Sequence, residues 1–305
     1  MTLRYDEIGM RLRAFRLGAG LTVEETASKI GISRAAMYRF EKGEVVKIEN
    51  LESLAQLFGV SLPTLLGVEI EYVSSAVTYF ERLRQLEEHA DRIVVLAGPI
   101  SYLLASDEFV ASLGELLRES VTDENGQSRE QSLVDIEKIM ATLSQRRQNY
   151  LARRPTIINI ISALDIERLL RSGFVGRPFI SGQDMQRRKQ RAADEVEHFA
   201  RQLEVGPMGV QIGVIPGAVP HTGFQMFRSK GRETLTLSPF RLGGQPNINL
   251  GIALITSTAE AVSLHDKLVQ QMWESALKGS KAAAYLRQLV KSTHAESETA
   301  PPASV

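Results

Sequence analysis

Arg34, Ala35, Tyr38 and Arg39 are spaced so that one helix carrying them shows all four on adjacent rows of a single side. Two guanidinium groups there offer paired donors that match a guanine edge in the major groove, and the alanine offers a small apolar contact. Lys42 and Lys47 extend the same cluster of cations. The rest of the chain has no comparable set. Its five histidines, at 89, 198, 221, 265 and 294, fall in no HxH, HxxxH or HExxH arrangement. It contains no GxSxG elbow, no Walker loop and no GxGxxG after a strand. The glycines of LAGP and VIPGAVPHTG follow strand-like runs without phosphate-loop spacing. No catalytic residue, metal ligand or cofactor is therefore assigned, and the chain is read as something other than an enzyme.

The elements that must position Arg34 and its neighbours lie between Thr22 and Gly43. Thr22 is placed to cap one short helix, with Glu25 three residues on to close a capping box, and Ser33 to cap a second running to about Lys42. Gly31 between them supplies a positive φ at the turn. Ala27 is small where the second helix crosses, and Ile30, Ile32, Met37 and Phe40 are expected to point inward. A helix precedes this pair at residues 6–18, with Ile8, Leu12, Phe15 and Leu17 along its inner side. IENLESLAQLFGV and SLPTLLG supply two more. Five helices within residues 1–68 make a small all-helical domain.

Residues 8–67 closely resemble the Cro/CI-type, lambda-repressor-like helix-turn-helix domain. RLRAFRLGAGLTVEETASKIGIS, YRFEKGE and LESLAQLFGVSLPTLLG carry the likeness. The resemblance implies that Arg16 of the first helix pairs with Glu41 at the end of the recognition helix. It also implies that Arg34, Ala35 and Arg39 face base edges and that the helix start at Thr22 sits on a phosphate. Tyr38, Ser33 and Lys42 complete the candidate DNA-binding set. Thr26 departs from the family, which usually has an apolar residue there.

The composition is that of an ordinary globular protein: 305 residues, 43% hydrophobic and 24% charged, with zero net charge and no cysteine. Disulfides and thiol chemistry are thus excluded. Residues 1–67 hold nine Lys and Arg against eight Asp and Glu, a net of +1. Non-specific affinity for a nucleic acid should then be modest and strongly salt-dependent. No apolar run approaches the roughly 20 residues of a membrane helix, and the N-terminus lacks a signal-peptide core. A cytoplasmic location without membrane contact is the expectation.

Residues 69–89 read as one long helix with Val73, Val77, Phe80, Leu83 and Leu86 or Glu87 along one apolar stripe, a linker or dimerisation element over 69–90. From residue 91 to 291 strand and helix patterns alternate, which predicts an α/β domain around a mostly buried sheet. The whole chain is thus α followed by α/β. RIVVLAGPIS, TIINIIS, GVQIGVIPG, TGFQMFRS, ETLTLSPF and INLGIALITST are the strand segments. The helices are expected over 106–120, 132–154, 163–173, 184–204, 259–279 and 280–292. Ser132 is taken as a cap, 122–131 as a loop and 292–305 as a disordered tail. Arg187–Arg191 reads as a solvated helix face. In 259–279, Leu264, Leu268, Met272 and Ala276 are the inward stripe and Gly279 the stop.

Residues 151–290 resemble, in pattern, the C-terminal domain of unknown function found behind this helix-turn-helix in many bacterial regulators. RRPTIINIISALDIERLLRSG, HTGFQMFRS and LVQQMWESALKGSKAAAYLRQLV carry that likeness. VQIGVIPG, HTGFQMF and ETLTLSP are more faintly similar to half of a phospholipase D-like sheet. His221 is followed by Thr222 and Gly223 rather than by the lysine of an HxK motif, so such an ancestor's catalysis would be lost. In open α/β sheets ligands bind beyond the carboxyl ends of strands, which nominates Gly98, Ser162, Pro216 and His221 as ligand-binding candidates. Together these readings predict a transcription regulator, more readily a repressor. It would be a homodimer on an inverted-repeat operator in double-stranded DNA, tuned by a small-molecule effector. The alternative is an antitoxin or phage-defence adaptor whose second domain binds a protein.

Overall fold

The computed structural model describes residues 4–44, 47–68, 70–121, 129–176 and 182–299. The helical domain comprises α1 (Tyr5–Gly18), α2 (Val23–Lys29), α3 (Arg34–Glu41), α4 (Ile48–Phe58) and α5 (Leu62–Leu66). Each sends its apolar side to one centre, where Ile8, Leu12, Ala27, Met37, Leu54 and Leu65 are almost wholly buried. Five helices stand where the sequence places them.

The chain then does something its periodicity does not announce. Residues 69–89 are not one helix: β1 (Ile70–Val73) is a strand, and only α6 (Ala76–His89) is helical. Ser75 divides them, its hydroxyl accepting from the Thr78 amide at 3.4 Å. Val73, read as the start of an apolar helical stripe, belongs instead to a β-branched strand with alternating burial. Eleven residues of α6 are buried, because the helix lies between α1 and α8 (Arg129–Arg153). Arg146 of α8 clasps Glu87 of α6 at 2.6 and 2.8 Å.

The remaining strands are β2 (Arg92–Leu96), β3 (Thr156–Ser162), β4 (Val210–Ile215), β5 (Phe224–Ser229), β6 (Arg232–Leu237) and β7 (Ala253–Thr256). They form one seven-stranded sheet in the order β1-β7-β6-β5-β2-β3-β4. β2, β3 and β4 are parallel; every other pairing is antiparallel. The parallel strands need crossovers, and α7 (Asp107–Glu119) with α8, then α9 (Ala163–Ser172) with α10 (Gly182–Val205), supply them. Strands buried on both faces read as continuous apolar runs, as in TIINIIS. On one face Ile157 and Ile161 join a core with α6, α8, α9, α10 and α12 (Gly279–Thr299). On the other, Ile158 and Ile160 pack against Val262, Val269 and Met272 of α11 (Ala259–Ser275).

Several expectations shift. The strand predicted over 248–258 narrows to β7. Ser132 is buried inside α8 rather than capping it; of the loop expected over 122–131, residues 122–128 lie outside the described residues. Leu264 is 58% exposed, because the inward stripe of α11 runs through Val262, Val269 and Met272. Gly279 begins α12 instead of ending α11, after Leu277 has made a bridge to Val214. The tail expected from residue 292 continues α12 to Thr299. Once Ala282, Ala283 and Leu286 anchor that helix, each further residue adds a backbone bond at little cost. Residues 300–305 lie outside the described ones.

Candidate nucleic-acid interface

Local chemistry holds α2 and α3 before any tertiary contact is counted. Thr22 accepts from the Glu25 amide at 3.1 Å while its own amide donates to the Glu25 carboxylate at 2.8 Å, a complete capping box. The backbone and hydroxyl donors of Thr22 hold the Glu25 carboxyl below its ordinary pKa. Ser33 accepts from the Ala36 amide at 3.1 Å. Gly31 lies at φ +73°, a conformation that a Cβ would strain, and the Ile32 amide closes the turn onto the Ala27 carbonyl at 3.0 Å. Thr26, polar where its likeness has an apolar residue, is buried and donates its hydroxyl to the Thr22 carbonyl at 2.8 Å. The hydroxyl is satisfied, so the departure does not disturb the packing.

One long-range clamp then sets where α3 ends. Arg16 grips Glu41 through Nε at 2.5 Å and a terminal nitrogen at 3.0 Å, and donates to the Leu21 carbonyl at 2.9 Å. The pair is nearly buried and bidentate, as the resemblance implied.

With Met37 fully buried, the opposite side of α3 faces out. Thr22, Ser33, Arg34, Ala35, Tyr38, Arg39 and Lys42 are all exposed. Arg34 lies 5.4 Å from the Tyr38 ring centre. Both arginines have acidic partners, which the spacing of the chain does not reveal. Arg34 meets Glu24 at 2.5 Å, and Arg39 meets Glu44 at 3.4 Å. The signal for Glu44 lay in the chain turning back after α3, where its amide bonds the Arg39 carbonyl at 3.0 Å.

Gly98, Ser162 and His221 come together around a cavity of about 250 Å³ at the carboxyl ends of β2, β3 and β4; Pro216 is not in its lining. Ser162 caps α9 by accepting from the Asp165 amide at 3.2 Å, and Arg168 and Arg241 join the wall. Of the other histidines, His198 bonds the Leu104 carbonyl at 3.0 Å and His265 the Ala261 carbonyl at 2.9 Å.

A larger cavity, about 510 Å³, opens between α1 and the β5–β6–β7 part of the sheet. Its lining comes from segments far apart in the chain, so no spacing pattern reveals it. Its floor is a buried ionic cluster joining the helical domain to the sheet. Glu71 of β1 accepts from Arg82 at 2.7 and 3.1 Å and from Arg11 of α1 at 3.0 Å. Burial alone would raise the Glu71 pKa; Arg82 and Arg11 outweigh it and hold the carboxyl below its usual range. Gln85 of α6 adds a bond to the Met10 carbonyl at 3.0 Å.

Comparison with known proteins reports on the first part of this arrangement. Residues 7–66 match the family described as "Helix-turn-helix domain". A protein of Pyrobaculum aerophilum provisionally named an HTH-type transcriptional regulatory protein is 32% identical over 92 residues, which are 28% of this chain. The match spans 37% of that relative's length. A solved chain of TrmBL2, described as an archaeal chromatin protein with a novel mode of DNA binding, aligns over 88% of this chain and 93% of its own. Its identity is 11% and its TM-score 0.32, a level that carries no argument. Among the described residues no helix is long and apolar enough to cross a membrane. Residues 7–66 are thus similar to a helix-turn-helix domain, with α2 and α3 standing as its two-helix unit.

Proposed function

We propose that this chain is a sequence-specific, DNA-binding transcription regulator that lays α3 in the major groove. The observation that carries the reading is the exposed face of Arg34, Ala35, Tyr38 and Arg39, opposite a buried Met37 and clamped by Arg16–Glu41. Thr22 and Ser33 lie at helix starts beside that face, where amides and hydroxyls meet phosphates, and Lys42 follows it. A single recognition helix reads few base pairs, so the protein works as a homodimer on an inverted repeat, and as a repressor. It acts by binding rather than by catalysis. A small molecule in the cavity beside Gly98, Ser162 and His221 modulates it by favouring one arrangement of the dimer.

The test starts with selection of a preferred duplex from a randomised pool. Arg34→Ala with Arg39→Ala should then cut the preference for that duplex over a scrambled one by roughly ten- to hundred-fold per lost guanine contact. Thermal melting should be unchanged, since both side chains are exposed. Retained discrimination would show that another surface reads the DNA.

A further inference from the structure

We propose that the cavity between α1 and the β5–β6–β7 part of the sheet is a binding site for an organic anion, a molecule with a carboxylate or phosphate group on an apolar body. The proposal stands apart from the DNA reading and concerns a different place from the cavity at the strand ends. Its volume of about 510 Å³ suits a small ligand. Met10, Leu86, Phe227 and Ile255 give it apolar wall, enough to hold a hydrocarbon or aromatic body.

Charge decides the polar end. The carboxylates in the lining are nearly all engaged: Glu71 by Arg11 and Arg82, Glu7 by Arg4, Arg11 and Arg232, Asp6 by Arg4, and Glu88 by Arg84. Asp91 accepts from the Lys230 backbone amide at 3.3 Å. Two cations of the lining, Arg153 and Lys230, have no carboxylate partner among the described residues. Arg153 donates only to the carbonyls of Glu87 and Ala90, at 3.3 and 3.5 Å. Arg232 is partly desolvated, and burial followed by the nearness of Arg4 lowers its pKa. An incoming oxyanion compensates that desolvation and meets two cations without a carboxylate partner, whereas an incoming cation meets carboxylates that, Asp91 apart, are already neutralised. Because α1 forms one wall and the sheet another, a bound anion touches both bodies that the Arg11–Glu71–Arg82 cluster joins. Its affinity is thereby linked to how the helix-turn-helix domain is seated.

Titration calorimetry on the full chain with 1-naphthyl phosphate, 1-naphthoate and neutral 1-naphthol tests this. Saturable binding of the phosphate or the carboxylate is expected, with the neutral probe weaker by about ten-fold or more; which of the two anions binds better identifies the polar group. Arg153→Gln with Lys230→Asn should weaken the better anion by about ten-fold or more. Asn suits the positive φ of 42° at position 230. Lys230→Arg should retain the affinity. Equal binding of naphthol, no saturable binding, or undiminished binding to the double variant would each overturn the proposal. The comparison of anions with naphthol uses the unaltered protein, so it decides even if a variant folds poorly.

Discussion

Arg34 and Arg39 sit in solvent-open ion pairs with Glu24 and Glu44, in a domain with a net charge of only +1, and the proposed DNA reading requires that a polyanion displace those partners. Exposed pairs are weak and screened by salt, so phosphates can displace the glutamates at little cost. Glu24→Gln should therefore raise affinity for an arbitrary duplex by up to about five-fold at low salt. The gain should shrink as salt is added, as read by fluorescence anisotropy; an unchanged affinity would mean that Arg34 does not approach the backbone. Arg16 and Glu41 behave differently because they are shielded from water. Arg16→Met strands a nearly buried carboxylate and should destabilise the domain by about 3–5 kcal/mol in urea unfolding. A loss below about 1 kcal/mol would show that water reaches Glu41 freely.

Among the elements, the short α2 depends most on its ends. Seven residues are too few for a helix to persist alone, so the Thr22 capping box and the packing of Val23, Thr26 and Ala27 must hold it. Thr22→Ala should cost about 0.5–2 kcal/mol. The crossing of α1 and α6 makes a sharper prediction. A Cβ at Gly18 would stand 1.8 Å from the Thr78 hydroxyl oxygen, so the last turn of α1 fits α6 only without a side chain. Gly18→Ala should destabilise by about 1–3 kcal/mol. In the Thr78→Ala background the same change should cost far less, and a double-mutant cycle reads that coupling directly. Additive losses would place the strain elsewhere.

For the whole molecule, the Arg11–Glu71–Arg82 cluster is the junction to watch. The Glu71 pKa is held below its unfolded value of about 4.3, so the stability it gives is complete above that value and lost as pH falls through the lower folded one. Acid titration should therefore loosen the seat of α1 on the sheet, seen as faster hydrogen exchange in α1 and α6. Glu71→Gln should reproduce the loosening at neutral pH, at a cost of about 3–5 kcal/mol, because two arginines are left facing each other. If exchange in α1 is indifferent to both, the domains are held by apolar contact alone.

The sequence by itself determined what is local. Caps at Thr22 and Ser33, the positive φ at Gly31, the inward Met37 and the outward Arg34–Arg39 row are all settled between Thr22 and Arg39. The Arg16–Glu41 clamp was legible only through resemblance. Three of the four candidates for the strand-end cavity were found because parallel strands open their loops on one side. The tertiary structure decided the rest. Val73 fits a helical stripe or a strand equally well until β7 offers it a partner. Leu264 and Val262 both suit an amphipathic helix, and only the sheet beneath α11 chooses between them. The large cavity and its floor draw on Arg11, Glu71, Arg82 and Lys230, residues whose charges look like ordinary solvated surface in one dimension. Spacing carries information only within a helix or strand, whereas burial and ion pairing depend on which distant segments fold together.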